Sequence, residues 1–383
     1  MKDNIINMFE KEYEAVVAGG GVAGVAAAVE AARRGRKTVL VEKTVAAGGL
    51  ATNGLVNFYQ ALCDGNGCQV TFGLAEELLH RSIRYGFGDI PPNWKNERNA
   101  PEERRFTTLF SPASFVLALD EILQESGVEV WFDTLICDVE RKGRLLSGIA
   151  VENESGRGIL RAEQFIDATG SALLFRRSGV ECFTAENHPS LWEFEFNRGS
   201  FERFVWFNRE TREGKWRGVS GRQVTEFLLA TRNFLRERYR KLYDSGESDR
   251  HTHYPVLLPN MAQFRKLYAI RGATVLDDPH CGASFPDSIG VVADWRKPGV
   301  VWEVPYSALY AADGPVNLLA AGRCIAAVNG AWEATRVIQA AAMTGQAAGA
   351  AAALAAGRKR RSRQAEAEEL RGELRVLHFQ LHG

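Results

Sequence analysis

The chain lacks an excess of charge of either sign. Its 383 residues include 47 Lys and Arg and 47 Asp and Glu, so the formal net charge is zero. A neutral protein has no overall field that attracts nucleic acid or an anionic membrane surface. The composition therefore predicts a small-molecule partner and no contact with nucleic acid.

Cysteine is sparse and shows no pairing pattern. The six cysteines are scattered, and the only close pair, Cys63 and Cys68, has four residues between its members. That spacing does not match the common zinc or dithiol motifs, and no second pair completes a site. His251 and His253 also lack a third ligand, and a surface loop is favoured for them. The sequence predicts free thiols in a reducing compartment and no bound metal.

Long hydrophobic runs are missing as well. The most apolar segments, residues 15–29 and 340–356, are shorter than the roughly 18 apolar residues that a membrane span needs. The first twelve residues carry several charges and no apolar core of the kind found in signal peptides. These absences predict a cytoplasmic protein without membrane insertion.

The N-terminal part of the chain instead reads as a strand, a helix and a second strand. A short apolar run, residues 13–18, leads into the glycine-rich hexapeptide GGGVAG at positions 19–24. An Ala-rich helical stretch follows to Arg34, and residues 37–41 form another β-prone run that ends at Glu42. The acid lies 18 residues beyond Gly24, as in dinucleotide-binding β-α-β units.

Each glycine of this hexapeptide has a predicted task. Gly19 permits the tight turn, Gly21 allows the backbone to approach a pyrophosphate, and Gly24 allows the helix to pack closely on the sheet. Val22 and Ala23 open the helix, whose unpaired N–H groups would face the phosphates. Glu42 would accept hydrogen bonds from the adenosine ribose hydroxyls.

A second glycine loop distinguishes FAD from NAD. A nicotinamide enzyme usually continues directly into further β-α units, whereas Glu42 is followed by Lys43 and then by Gly48 and Gly49. The ribityl chain and ring of FAD need a second backbone-lined approach, which this loop provides. The predicted cofactor contacts here are Glu42, Lys43, Gly48, Gly49, Leu50, Ala51 and Thr52.

Two distant segments are predicted to join the same site. Residues 166–170 and 317–323 each read as a buried strand that ends in glycine, and a small-residue helix begins near Thr335. The N-terminus of that helix would stabilise negative charge on the flavin ring. From these segments and the strand at residue 135, the predicted cofactor contacts are Leu135, Ala168, Thr169, Gly170, Gly322, Arg323, Ile338 and Gln339.

The overall pattern predicts an α/β fold: a Rossmann-like FAD-binding domain with a parallel sheet and a β-meander, plus an inserted mixed α+β substrate or cap domain. The meander strands are residues 135–141, 145–152 and 158–162, and a further buried strand covers 164–168. The predicted FAD-binding parts are 12–56, 111–175 and 306–357. The predicted insertion near the flavin is 57–110, the cap domain is 176–305, and 358–383 is a charged, solvated terminal helix.

Longer motifs run along most of the chain. They are GGGVAGVAAAVEAARRG, VEKTVAAGGLATNGLVN, FGLAEELLHR, FIDATG, FPDSIG, NLLAAGRCIAA and TGQAAGAAAALA. With these motifs the sequence, from about Tyr13 to Ala356, resembles the FAD-dependent oxidoreductase family of the glutathione-reductase-like superfamily, and it is distantly similar to fumarate reductase flavoproteins. The resemblance implies FAD-dependent redox chemistry and does not specify a substrate.

The sequence departs from its relatives outside the cofactor motifs. Residues 171–173 are Ser-Ala-Leu where relatives commonly carry Asp-Gly-Asp, and residues 265–270 are Arg-Lys-Leu-Tyr-Ala-Ile where they often carry Arg-Glu-x-Arg-Arg-Ile. Residues 305–307 are Pro-Tyr-Ser in place of Pro-Tyr-Arg. Because arginines are lost, a carboxylate-binding role does not simply carry over from the family.

Flavin chemistry asks the protein to position substrate over N5 and to supply an acid, a base or an anion clamp. The catalytic candidates are Arg265, Tyr268, Arg271 and Tyr306, which lie just before the chain returns to the FAD-binding domain. No second glycine fingerprint indicates an integral NAD(P)H domain, so a separate electron donor or acceptor stays open.

Three functions remain at this point. The first is hydride transfer between a small, possibly carboxylated, organic substrate and flavin N5. The second is an electron-transfer or redox-sensing flavin subunit without turnover of its own. The third is an NAD-binding dehydrogenase, which purified protein without flavin absorbance would favour.

Overall fold

The fold is taken from a computed structural model that describes residues 9–90, 107–207, 216–357 and 367–383. Its main sheet has seven strands, of which five run parallel in the order β5, β2, β1, β8, β16. These strands are β1 (Phe9–Ala18), β2 (Thr38–Val41), β5 (Glu129–Trp131), β8 (Gly156–Asp167) and β16 (Leu318–Ala320). The inner strands are apolar on both faces, as buried parallel strands are.

The predicted β-α-β unit is present. Helix α1 (Val22–Arg33) follows β1 directly and leads to β2, which pairs with β1 in parallel from Ala15↔Thr38 to Ala18↔Val41. Ten consecutive residues of α1, from Val22 to Ala31, are buried. The helix therefore lies between two layers of protein and is not amphipathic.

A meander extends the sheet on one side. Strands β6 (Leu135–Lys142) and β7 (Leu145–Asn153) pair antiparallel with each other, and β7 also pairs antiparallel with the first half of β8. The sequence predicted two separate strands at 158–162 and 164–168, and this was wrong. One long strand crosses from the meander into the parallel sheet, because Gly158 to Ala162 and Gln164 to Asp167 both pair with β1.

Helix α7 (Ile338–Gly357) runs alongside α1 at very close range. A Cβ atom placed on Gly345 would lie 2.1 Å from the backbone oxygen of Ala23, and one on Gly349 would lie 2.4 Å from that of Ala27. Only glycine permits this approach. The sequence predicted one helix from Thr335, whereas the chain forms a separate short helix, α6 (Asn329–Thr335), before α7 begins.

A second body is built around an antiparallel sheet in the order β11, β10, β12. Its elements are β10 (Ser190–Asn197), β11 (Ser200–Phe207), β12 (His253–Leu257) and the long helix α5 (Gly221–Asp244). Leu191, Leu235 and Tyr239 form a hydrophobic cluster there that is separate from the main core. His253, predicted in a surface loop, instead lies on β12 and is buried.

The remaining elements complete the main body. They are β3 (Phe58–Tyr59), α2 (Leu74–Ser82), β4 (Thr108–Leu109), α3 (Pro112–Glu125), α4 (Leu173–Arg177), β9 (Cys182–Thr184), β13 (Tyr268–Ile270), β14 (Ser288–Ala293), β15 (Val301–Pro305) and α8 (Ala367–Val376). Although β14 and β15 fall inside the predicted cap range 176–305, Val292 and Trp302 belong to the main core.

The terminal helix is not simply solvated, as the sequence predicted. Leu370 and Leu374 of α8 are fully buried in the main core, because α8 docks against α7 and β14. The preceding residues 358–366 lie outside the described ranges.

Within the described ranges, no single helix is both long and apolar enough to cross a bilayer. Helices α6 and α7 meet the length and composition criteria only as a pair, with a bend of 83° between them.

Candidate functional site

A cleft lies at the carboxyl ends of β1, β2, β8 and β16, where open α/β sheets bind their ligands. It encloses about 900 Å³ of space, part of it open to solvent. The predicted residues that line it are Gly19, Gly21, Val22, Ala23, Glu42, Lys43, Gly48, Gly49, Leu50, Ala51, Ala168, Thr169, Gly170, Gly322, Arg323 and Ile338. Segments far apart in sequence thus meet in one groove.

The two glycine loops are joined to each other. The Gly48 N–H donates to the Gly20 carbonyl at 2.7 Å, and Gly21 and Gly48 form an isolated parallel bridge. A Cβ atom on Gly24 would lie 1.8 Å from the Gly19 oxygen, so Gly24 is required for packing. A Cβ atom on Gly21 would meet no described atom within 4 Å, because this position faces the open cleft.

Glu42 stands at one end of the cleft and is 8% exposed. Its carboxylate accepts the Gly20 N–H at 2.6 Å, and the Thr44 N–H and hydroxyl at 2.9 and 2.8 Å. These bonds fix the side chain at the cleft wall. Oε1 accepts both bonds from Thr44, whereas Oε2 accepts only one and keeps a lone pair for a further donor, such as a ribose hydroxyl.

The turn after β8 is held by a buried acid. Asp167 is fully buried and accepts hydrogen bonds from the Thr169 hydroxyl at 2.7 Å and from the Leu174 N–H at 2.8 Å. Burial raises the pKa of Asp167, and the surrounding hydrogen bonds oppose that shift. Asp167 therefore shapes the cradle at residues 168–170 without lining it.

Arg323 connects the cradle to the second body. A Cβ atom on Gly170 would lie 2.5 Å from the Arg323 guanidinium, so glycine is needed at position 170. The Arg323 Nη1 donates to the Phe264 carbonyl at 2.6 Å. Burial lowers the pKa of Arg323 to about 10. Arg336, which also lines the cleft, is paired with Glu333.

Four predicted cofactor contacts do not line the cleft. Gly24 packs inside the turn, and the Thr52 hydroxyl donates to the Ala47 carbonyl at 2.5 Å. Leu135 is an exposed residue at the start of β6, and Gln339 is buried with its amide donating to the Ala61 carbonyl at 3.1 Å. Their direct contact with the cofactor stays a prediction.

Sequence reasoning missed several residues that line the cleft. They are Thr44, Asn53, Ser171, Met261, Leu267, Ala321, Arg336 and Ala341. Thr44, Asn53 and Ser171 lie next to motif residues, so proximity in sequence was an available signal. Met261 and Leu267 come from the second body, and no spacing in the sequence connects them to the glycine motifs.

None of the four catalytic candidates is among the residues that line the cleft. Arg271 pairs with Glu181 at 3.0 Å on the surface, and Tyr306 is buried with its ring 5.4 Å from that of Tyr310. The ring of Tyr268 lies 4.0 Å from the Arg176 guanidinium. Arg265 is described below, and catalytic roles for all four stay predictions.

The residues present fit an elongated dinucleotide. The open face of Gly21 leaves space for a phosphate at the N-terminus of α1, where N–H groups lack partners. Glu42 and Ile338, the latter at the N-terminus of α7, both line the cleft, and their contacts with adenosine and flavin stay predictions. The cleft is lined largely by backbone and small side chains, as close contact with a long cofactor requires.

Comparison with known proteins agrees with this geometry. The sequence profile of the family described as FAD dependent oxidoreductase matches residues 14–203 and 222–374. No curated protein matches the chain.

Solved structures with a similar fold cover nearly the whole chain. A geranylgeranyl bacteriochlorophyll reductase-like protein from Thermoplasma acidophilum has 13% identity and a TM-score of 0.53, over 97% of this chain and 84% of that one. An aromatic hydroxylase from angucycline biosynthesis has 11% identity and a TM-score of 0.53, over 96% and 68%. A Diels-Alderase of pyrroindomycin biosynthesis has 15% identity and a TM-score of 0.50, over 97% and 74%.

At these identities the structural likeness concerns the fold alone, while the family profile spans most of the chain. The protein belongs to the FAD-dependent oxidoreductase family, and FAD is its cofactor.

Proposed function

We propose that the protein transfers a hydride between a carbon of a small organic substrate and N5 of FAD. The observation that carries this proposal is that residues 260–267, here called the cover, contribute to the cleft. Met261 and Leu267, in this segment between β12 and β13, line the same cleft as the glycine loops. Substrate bound beneath such a cover is held in place and shielded from water.

Two hydrogen bonds attach the cover to the loop that follows Gly49. The Asn260 N–H donates to the Asn53 carbonyl at 2.8 Å, and the Gln263 amide donates to the Gly54 carbonyl at 2.7 Å. Gln263 also donates to the Trp192 carbonyl at 3.1 Å. The cover is thus hydrogen-bonded both to the loop that follows Gly49 and to strand β10.

FAD supplies the electron-accepting or electron-donating ring, and the chain supplies position and charge. Helix α7 places its N-terminal N–H groups beside the cleft, where they favour negative charge. Lys266 pairs with Glu333 at 2.7 Å and holds the cover to α6. We infer a role in redox chemistry on substrate and not only in electron relay, because side chains of the cover line the same cleft as the glycine loops.

The test is anaerobic reduction of the purified holoprotein. Alcohols, amines, hydroxy acids, saturated acids and reduced nicotinamides are mixed with it, and loss of the flavin absorbance is followed by stopped flow. We expect one class to bleach the flavin, and deuterium on the reacting carbon to slow bleaching several-fold. A Gly21→Val variant, expected to lack FAD, serves as the control for contaminating activity.

Two results would contradict the proposal. Bleaching by a small donor without any isotope effect would exclude a rate-contributing hydride transfer. Bleaching only by a reduced protein partner would favour the electron-transfer or redox-sensing function instead.

A further inference from the structure

The guanidinium of Arg265 is a buried cation. Its Nη1 and Nη2 atoms are inaccessible to solvent and have no hydrogen-bond acceptor among the described residues. The backbone at this position is fixed, because the Asn187 side chain accepts the N–H groups of Arg265 and Lys266, both at 2.9 Å. The guanidinium nitrogens are therefore buried on an anchored backbone and are not part of the surface.

The charges around Arg265 do not neutralise it. Burial, together with the nearby Arg336 and Arg323, lowers the pKa of Arg265 to about 9. The nearby acid, Glu333, is already paired with Lys266 at 2.7 Å and with Arg336. A cation left in this environment costs free energy unless an anion joins it.

Trp192 supplies a further unpaired donor at the same place. Its ring centre lies 5.8 Å from the Arg265 guanidinium and 4.8 Å from that of Arg203, and its indole Nε1 is buried with no acceptor in the described ranges. Its backbone N–H donates to the Gln263 side-chain oxygen at 3.0 Å. Since Gln263 also donates to the Gly54 carbonyl, the cluster of Trp192, Arg203 and Arg265 lies near the loop that follows Gly49.

We propose that the cluster of Trp192, Arg203 and Arg265 binds a carboxylate group of the substrate. Two arginine nitrogens and one indole N–H point to an oxyanion, because all three groups only donate hydrogen bonds. The planar guanidinium fork matches a carboxylate in a bidentate arrangement. The inference rests on the proposed function, since it names the class of substrate that reaches the flavin.

The other source of negative charge is the cofactor. The phosphate-binding loop at Gly21 and the ribose-binding Glu42 lie in the cleft, and Arg265 does not line that cleft. This placement favours the substrate as the partner of Arg265. The experiment below separates the two sources by measuring anion binding and flavin properties in the same variants.

The test titrates the holoprotein with matched pairs of probes, acetate against acetamide and benzoate against benzamide, and follows the visible absorbance of the bound flavin. In the wild type we expect at least one carboxylate to bind about tenfold or more tightly than its amide. Arg265→Gln should abolish that preference. Arg222→Gln, an exposed arginine at the start of α5, should retain it.

A second readout guards against misfolding. Arg265→Gln removes an uncompensated buried charge, so its thermal unfolding temperature should equal or exceed that of the wild type. Trp192→Phe keeps the ring, removes only the N–H, and should weaken carboxylate binding several-fold. FAD affinity and the flavin midpoint potential should be unchanged in both variants.

Three outcomes would overturn the inference: no carboxylate preference in the wild type, a preference that survives Arg265→Gln, or a changed FAD affinity or potential with the preference intact. The last would assign Arg265 to the flavin. If no hydride donor is found but carboxylate binding depends on Arg265, the proposed function fails and the anion site stands. If a neutral hydride donor is found and no carboxylate preference is seen, the proposed function stands and the anion site fails.

Discussion

The nucleotide region and the second body use opposite kinds of contact. In the nucleotide region, backbones meet directly, as where Gly345 faces Ala23 and Gly24 faces Gly19. In the second body, large side chains fill the interior, for example Trp206 stacked on Phe234 with ring centres 4.0 Å apart. A backbone-lined site serves a cofactor that is common to many proteins, whereas a site formed by side chains is suited to one particular substrate.

The two regions also differ in their buried charged side chains. In the second body, the buried Glu195 accepts two hydrogen bonds from Arg238 at 2.6 and 3.1 Å and one from the Tyr239 hydroxyl at 2.8 Å. His253 Nε2 lies 3.1 Å from the same carboxylate. The neighbouring Glu193 is fully buried, and burial together with Glu195 raises its pKa to about 7. Glu193 therefore makes the stability of the second body depend on pH.

The largest effect is expected where two helix backbones touch. Gly345→Ala places a methyl group 2.1 Å from the Ala23 oxygen, and we expect the free energy of unfolding to fall by about 3 kcal/mol. Gly372→Ala is the matched control, because a Cβ there meets no described atom within 4 Å. On propensity it should stabilise α8 by about 0.5–1 kcal/mol. Urea unfolding followed by circular dichroism measures both, and equal effects would contradict the contact.

The next effect separates cofactor binding from folding. Gly21 has φ of −64° and ψ of 173°, which valine adopts readily, and its side chain would project into the cleft. We expect Gly21→Val to lower FAD affinity about 100-fold, or about 2.7 kcal/mol. Unfolding of the apoprotein should change by about 0.5 kcal/mol or less.

Gly221→Val, at an open position in the first turn of α5, should bind FAD like the wild type. Fluorescence titration with FAD measures the affinities. A Gly21→Val protein that purifies with full flavin would show that the cleft does not hold the cofactor as described.

The smallest effect concerns the pH dependence of the second body. The pKa of Glu193 is raised from 4.5 to about 7, so the folded state keeps a proton that the unfolded state releases. Stability from this group is present below pH 4.5 and is lost as pH rises through 7. Between about pH 5 and pH 8 we expect a loss of about 2 kcal/mol.

Glu193→Gln mimics the protonated form and should remove this loss, while Glu237→Gln, an exposed position on α5, should not. Urea unfolding of the three proteins at both pH values provides the measurement. The same slope in Glu193→Gln and in the wild type would assign the pH dependence to other groups.

The nucleotide region could be predicted from the sequence because its constraints are local. The tight turn at Gly19, the close contact at Gly24 and the acid at Glu42 follow from their spacing around one helix. Helix α5 is local in the same sense, because its apolar stripe and its Ser220 cap lie within residues 220–244. Helix α6 was missed: a helix start near Thr335 was predicted, whereas α6 ends at Thr335 and α7 begins at Ile338.

The second body and the cluster of Trp192, Arg203 and Arg265 could not be predicted in the same way. Trp192, Arg203 and Arg265 come from three separate segments, and no pattern in the sequence places their side chains together. His253 looked like part of a polar loop, but its pairing with Asn197 on β10 buries it. Burial of a charged or polar residue depends on tertiary partners, which periodicity does not reveal.

The glycine contacts between α1 and α7 have a mechanical consequence. Because the two helices touch through their backbones, we expect their N-terminal ends at the cleft to move together as one rigid unit. We expect any opening that admits substrate to occur instead where Asn260 and Gln263 hydrogen-bond to residues 53 and 54.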